Sequence, residues 1–444
     1  MIGISFEDSI QLLEALYRKP LVPARLAGLR RTYTLLNLLD NPHRGIRTIH
    51  VSGTAGKGST TTMVGSILTA AGFQTGLFRS PHLRHYPERL AVGEDEISEG
   101  DWLRLFQQVW PLVEMLAQNE PAEYRLGRPS LFEVLFAMSS LYFRECQVEW
   151  AVVEAGIGGR FDPTNALAPD VAVITNVSLE HTRILGPTVA AIAGEKAAII
   201  KPGGASVTAA RDPEALEVIQ SRARLVGSPL IIVGRDLQVH RRDAALTHQA
   251  VSFEADGPVL EVELPLAGGF QAVNAASAFS VVQALRRRGV QIDDEAVVSG
   301  LRCVRIPGRL EVISHHPLVL LDGAHNPAGA HELASALREV LPGRQIHFVL
   351  AAMADKDLAD IAGQLGPLAS SVTATRVPGT DRSADPEEIA GTFKALGTPV
   401  FVASEPAAAL ECALQQAELD GAVVATGSMY LVGWLQKIGV PGRA

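Results

Sequence analysis

Cysteine is nearly missing: Cys146, Cys303 and Cys412 are the only three in 444 residues. They lie far apart and are odd in number. That excludes a disulfide framework and a thiolate metal site and points to a reducing cytoplasm. Each is read as a small buried residue. No apolar run reaches membrane-spanning length. The N-terminal stretch has no basic region ahead of an apolar core, so no signal peptide is expected. Positive charge is also short. A net charge of −9 removes any general electrostatic case for nucleic acid or an anionic membrane. There is no internal repeat and no low-complexity segment. What remains is a globular composition, 47% hydrophobic and 20% charged, at a length where two domains are the default.

Against that background, Ile46–Ala71 stands out. Ile49 and Val51 give a short strand-like run, Gly53, Gly56 and Gly58 surround Lys57, and Val64, Ile67, Leu68 and Ala71 recur at helical spacing. A strand feeding a Gly-Lys turn that opens a helix cradles polyphosphate through backbone N–H groups, the helix start and the lysine charge. One group is absent. The common phosphate loop has Ser or Thr after its lysine for Mg²⁺. Here Gly58 holds that place, and the hydroxyls come later, at Ser59 to Thr62. Oxygen ligands for a metal must then come from elsewhere in the chain.

Residues 1–45 read as helical. Phe73–Phe78 reads as a strand and 79–93 as an irregular functional loop. Helices are expected at 99–118, 130–145 and 190–200. The apolar runs 148–156 and 170–176, with the strands ASVTA and PLIIVG, imply a parallel sheet buried on both faces. Period-two residues from Asp236 to Leu266 suggest an antiparallel edge or hairpin, and 271–301 return to helix. The Pro-Gly in 304–313 marks a boundary between an ATP-binding-type domain, 1–305, and a domain of 306–444. The second domain alternates strand and helix cleanly. The fold class is α/β: a mostly parallel phosphate-loop sheet followed by a smaller, Rossmann-like doubly wound domain.

Open α/β sheets bind ligands at the carboxyl ends of their strands. Glu154, His181 and Ser80 all follow such strands. Alone, Glu154 could be a solvated strand end and His181 a structural histidine. Together around one phosphate loop they suit a hard cation, with Ser80 replacing the missing hydroxyl. Gly156-x-Gly158-Gly159-Arg160 could wrap an anion or shape a crossover. Lys196 reads as a snorkelling surface residue or as a buried, reactive amine. Asp322 and His325 after the strand LVLL, Arg309 in the hinge and Ser428 after the last strand are either ligand contacts or turns with helix caps.

HVSGTAGKGS, RSPHL, SLFE, EAGIGGRFDPTN, TNVSLEHTRILG, GEKAAIIKPG, PGR, DGAHNP, MADKD and TGSMYLVG follow in this order. The series resembles the dihydrofolate synthase/folylpolyglutamate synthase branch of the Mur ligase superfamily. The resemblance implies an ATP-dependent ligase joining L-glutamate to a pteroate or folate carboxylate. It implies a nucleotide site from Gly53, Thr54, Gly56, Lys57, Gly58, Ser59 and Thr60, with Arg309 and Asp322 from the second domain. It implies metal ligands Ser80, Glu154 and His181 for one or two Mg²⁺, with a monovalent cation. Lys196 matches a lysine that CO₂ turns into a carbamate. Lys57, Lys196 and His325 are the catalytic candidates. Ser130, Phe132, Arg160 and Asp162 fall on the pterin side, and His325 and Ser428 on the glutamate side. Dihydropteroate or a reduced folate and L-glutamate are the expected partners of a monomer.

Three positions depart from the family pattern: Ala55 replaces an asparagine, Glu180 an aspartate and Ser130 a threonine. They leave open a ligase for a non-folate acid. A nucleotide switch without ligase activity is the reading from another class.

Overall fold

The computed structural model describes residues 4–17, 25–118, 127–255 and 257–440. The helical reading of 1–45 therefore runs partly over 18–24, outside the described residues. Inside them, Phe6–Tyr17 and Arg25–Leu38 are helices. Leu13, Leu35 and Leu36 are fully buried.

The first sheet follows from the β-branched runs. Its strands are β1 (Arg47–Ser52), β2 (Thr75–Phe78), β3 (Leu90–Val92), β4 (Asp95–Glu96), β5 (Trp150–Glu154), β6 (Val171–Ile174), β7 (Ala205–Thr208) and β8 (Leu230–Ile232). Their order is β4-β3-β2-β5-β1-β6-β7-β8. All pairings are parallel except β2 with β3 and β3 with β4. The fully buried pattern of β5 and β6 is what helices on both faces demand. The loop expected over 79–93 is partly regular: Tyr86–Arg89 is a 3₁₀ turn and β3 follows it. Prolines and charges hid a short strand paired between β4 and β2.

The alternating stretch after Asp236 is not an edge of that sheet; it folds as two successive antiparallel hairpins. It makes a separate antiparallel sheet of β9 (Gln238–Arg242), β10 (Gln249–Glu254) and β11 (Leu260–Leu264). Residues 271–301 resolve into two helices, Gly269–Arg287 and Asp294–Cys303, because Gly289 takes a positive φ between them. Cys303 is exposed and the other two cysteines are half-buried, unlike the expectation from composition.

The third sheet contains β12 (Glu311–His315), β13 (Leu318–Leu321), β14 (Ile346–Leu350), β15 (Ala369–Ala374), β16 (Val400–Val402) and β17 (Ala422–Thr426), ordered β12-β13-β17-β14-β15-β16. Only β12 runs antiparallel, and its first residues fall within the 304–313 boundary segment. Helices cover both faces, with separate apolar clusters on each. Among the described residues, no helix is long and apolar enough to cross a membrane.

Topology explains why distant motifs meet. β1 lies between β5 and β6, and β2 lies beyond β5. The carboxyl ends of these four strands carry the Lys57 turn, Glu154, the 176–181 segment and Ser80.

Candidate active site

Gly56 starts the helix Lys57–Ala70 in left-handed backbone, φ 80°. A Cβ there would sit 2.4 Å from Asn274 Oδ1, so the turn needs glycine. Ala55 lacks a bracing amide of its own. Asn176 supplies one from the end of β6: its Oδ1 accepts from Ala55 N at 2.7 Å and Thr54 N at 3.1 Å. Thr175 Oγ1 donates to Ala55 O at 2.6 Å. Bracing thus comes from the neighbouring strand. Sequence reading missed Asn176 and Asn274; TNVSLEH, with polar residues at a strand end, held the signal for the first. Thr60 Oγ1, buried in the helix's first turn, has no hydrogen-bond partner among the described residues.

Lys57 Nζ donates to Gly53 O at 3.1 Å and Thr54 O at 3.3 Å. Gly53 O also accepts from Lys196 Nζ at 2.8 Å. Two amines share one carbonyl. Lys196 is 2% exposed, which corrects the surface reading. Burial, with Lys57 beside it, brings its pKa down to about 7, against the pull of Glu180 and Asp162. A neutral fraction therefore exists near neutrality, as a nucleophilic amine requires.

Glu154 is buried at the end of β5, and its Oε2 accepts from Ser80 N at 2.9 Å. Burial raises its pKa; Lys57, the Ser80 N–H, Arg309 and Arg79 oppose that. His181 lies beyond Lys57, in left-handed backbone at the start of a one-turn helix. Burial lowers its pKa; Glu180 raises it, while Lys356, Lys57 and Lys196 depress it further. Ser80 and Glu154 thus meet directly, and the charge of Lys57 acts on both Glu154 and His181. A buried carboxylate with a serine held against it fits a hard divalent cation. Among the described residues, no three His, Cys, Asp or Glu side chains form a metal site by themselves.

The third sheet faces this cluster. Glu180 Oε1 accepts from Asn326 Nδ2 at 2.6 Å, while Asn326 Oδ1 caps the helix Pro327–Val340. Burial favours protonated Glu180, but Lys57, His181, Asn326 and His325 outweigh it and hold the carboxyl below its ordinary range. Asp322 is buried and accepts from Leu310 N and Ala324 N at 3.0 and 2.8 Å. His325 Nδ1 lies 2.9 Å from Gly323 O. A carbonyl only accepts, so Nδ1 carries the proton and Nε2 is an acceptor. Burial takes the His325 pKa down to about 4, leaving the ring neutral. Arg309 lines the cleft with Gly58, Ser80, Glu154 and Met429. Ser428 is buried and caps the last helix, accepting from Tyr430 N.

On the other side, Ser130 caps the helix Leu131–Glu145. Phe132 lies with its ring 5.3 Å from that of Phe78. Glu133 of the same helix is paired with Arg31 at 2.8 Å, both largely buried. Asp162 is enclosed: its oxygens accept from the Gly156, Ile157 and Thr164 N–H groups and from the Thr164 hydroxyl. It shapes the glycine turn rather than presenting a carboxylate. Arg160 is exposed and bound to Glu195 and Gly194 O on the Lys196 helix.

Two family profiles match, one described as Mur ligase middle domain over residues 128–282 and one as Mur ligase, glutamate ligase domain over 308–429. A dihydrofolate synthase/folylpolyglutamate synthase of Bacillus subtilis is 37% identical over 348 residues, 78% of this chain and 80% of that protein. The chain belongs to the dihydrofolate synthase/folylpolyglutamate synthase family. Among solved structures similar to this family member, Mycobacterium tuberculosis folylpolyglutamate synthase complexed with ADP superposes with TM-score 0.90 at 33% identity, over 98% of both chains. An FPGS–AMPPCP–folate complex gives 0.83 at 30% identity, over 98% of this chain and 99% of that one.

Proposed function

We propose that the chain is an ATP-dependent ligase that joins L-glutamate to the carboxylate of a pteroate or folate through an acyl phosphate. Supporting this, one cleft between the first and third sheets is lined by Gly58, Ser80, Glu154 and Arg309, and Lys57 and His325 both act on the Glu180 carboxyl. Arg309 carries the most weight. Its charge acts on Glu154 of one sheet and on Asp322 and His325 of the other, so nucleotide phosphates and an incoming amine would share a single enclosure. Residues 1–305 form the ATP-binding unit and 306–444 the second unit. The working unit in this reading is a monomer.

A carboxylate is a poor electrophile toward an amine, so ATP must first activate it. Backbone N–H groups from Gly56 to Ser59 hold the phosphates, Thr60 offers a further hydroxyl, and Lys57 and Arg309 offset charge on the transferring group. Asp322 keeps the Arg309 turn in place. Ser80, Glu154 and His181 would hold Mg²⁺, which supplies charge neutralisation on the phosphate oxygens. Lys196 is the amine for a carbamate. The pteroate or folate carboxylate attacks the γ-phosphorus and ADP departs. The amine of glutamate, placed between His325 and Ser428 with one N–H donated to the His325 Nε2 acceptor, attacks the acyl carbon; phosphate leaves and carries off the amine proton. Phe132 and the turn braced by Asp162 and Arg160 form the pterin side. Enclosure between the two sheets limits hydrolysis of the acyl phosphate.

The test is a substrate panel: dihydropteroate, dihydrofolate and tetrahydrofolate, each with ATP, Mg²⁺ and glutamate, products resolved by mass. A product heavier by one glutamyl residue from at least one acceptor is expected. Phosphate release that needs neither acceptor nor glutamate would overturn the reading in favour of a switch.

A further inference from the structure

Three motifs, RSPHL, PGR and TGSMYLVG, converge on one side chain that the chemistry above does not use. Leu83 belongs by sequence to the loop after β2, yet it is buried in the apolar cluster of the third sheet. A Cβ on Gly433 would lie 1.8 Å from Leu83 O, and one on Gly308 would lie 3.2 Å from Leu83 Cδ1. Gly433 is thus the only residue type that admits this backbone approach, and Gly308 borders the same leucine. His82 adds a ring contact to Tyr430, centroids 6.3 Å apart.

The segment from Arg79 to Arg89 is also internally fixed. The Glu88 carboxylate accepts from Leu83 N, Arg84 N and His85 N at 2.7, 2.7 and 3.1 Å. Arg79 N donates to Arg89 O at 3.0 Å, and Arg89 Nε donates to His82 Nδ1 at 2.9 Å. A segment held this tightly moves as one piece. One end of it is Ser80, seated on Glu154; the other is Leu83, wedged against the last helix and next to the Arg309 turn.

We propose that Leu83 and Gly433 are positioning residues: the Ser80 segment is a strut that sets Ser80 against Glu154 only when the third-sheet unit is docked. The divalent cation site is then completed by the position of the second unit. This rests on the reading of Ser80 as a metal ligand.

The experiment measures Mn²⁺ binding to the full chain with AMPPCP, by the resonance signal of free Mn²⁺, so turnover is not needed. Loss of an outer contact to a metal ligand costs about tenfold or more in affinity. Leu83→Ala and Gly433→Ala are expected to weaken Mn²⁺ binding on that scale, and Ser80→Ala likewise. Leu83→Met, which keeps the volume, should stay within about twofold of the parent. Because Leu83 acts through Ser80, the double variant Leu83→Ala/Ser80→Ala should bind no more weakly than Ser80→Ala alone. Thermal unfolding of each variant establishes that the titrated chain is folded, and Leu83→Ala, which introduces no clash, carries the test if Gly433→Ala does not fold. Parent-like binding by Leu83→Ala beside weakened Ser80→Ala overturns the strut, as does an additive double variant. Parent-like binding by Ser80→Ala overturns the ligand reading and the strut with it.

Discussion

Lys57 and Lys196 place two amines on one carbonyl oxygen, and they differ in what surrounds them. Lys57 opens a helix whose first turn lines the cleft, so its charge remains available to a phosphate. Lys57→Ala should lower kcat by roughly 10²-fold or more, the scale of removing one preorganised charge partner from a transition state. Near-parent turnover would remove Lys57 from the chemistry. Lys196 has lost most of its solvent, and that leaves a stability signature. Its pKa is about 7 in the fold against an ordinary lysine value of 10.5. Between those values the unfolded chain binds the proton that the folded chain does not, so stability rises with pH across that window. Lys196→Met escapes this cost. In bicarbonate-free buffer the variant should melt higher than the parent at pH 6, with the difference shrinking by pH 9. An equal difference at both pH values would contradict a buried, depressed amine. No property of the single residue in the sequence revealed this burial, because alanines and isoleucines around a helical lysine suit a snorkelling stem equally well.

At the scale of elements, the phosphate turn depends on a strand that is remote in sequence. Thr54 N reaches both the backbone and side-chain oxygens of Asn176, but Ala55 N has the Asn176 amide oxygen as its acceptor. Removing that oxygen strands one half-buried donor, which costs on the order of 1 kcal/mol. Asn176→Ala should therefore weaken AMPPCP binding by about tenfold, read by calorimetric titration, and unchanged affinity would show that the turn holds itself. The strand–turn–helix unit was legible from glycine spacing and helical periodicity, because those are local signals. Its brace was not, because Asn176 becomes a neighbour of Ala55 only when β6 pairs with β1. The same limit applies to Asp162, which in sequence resembles an available carboxylate and in the fold is consumed by four donors. The separate antiparallel sheet was legible as a change of period but not as a separate layer, since alternation does not specify a partner.

For the whole molecule, strand order does what the sequence distances obscure. β1 next to β5 and β6 gathers Lys57, Glu154 and the 176–181 segment, and β13 next to β17 gathers Asp322, His325 and Ser428. The motif order implied such a gathering, and the apolar strand runs implied two doubly covered sheets. Glu180 to Asn326 is one contact that joins the sheets. The central claim is that this cleft activates a carboxylate by phosphoryl transfer. Supplying the accepted pteroate or folate with ¹⁸O in its reacting carboxylate, together with ATP and glutamate, and weighing the released phosphate tests it most directly. One labelled oxygen in the phosphate for each amide formed is the expected result; amide formed beside unlabelled phosphate, with the second label in AMP or water, would contradict it.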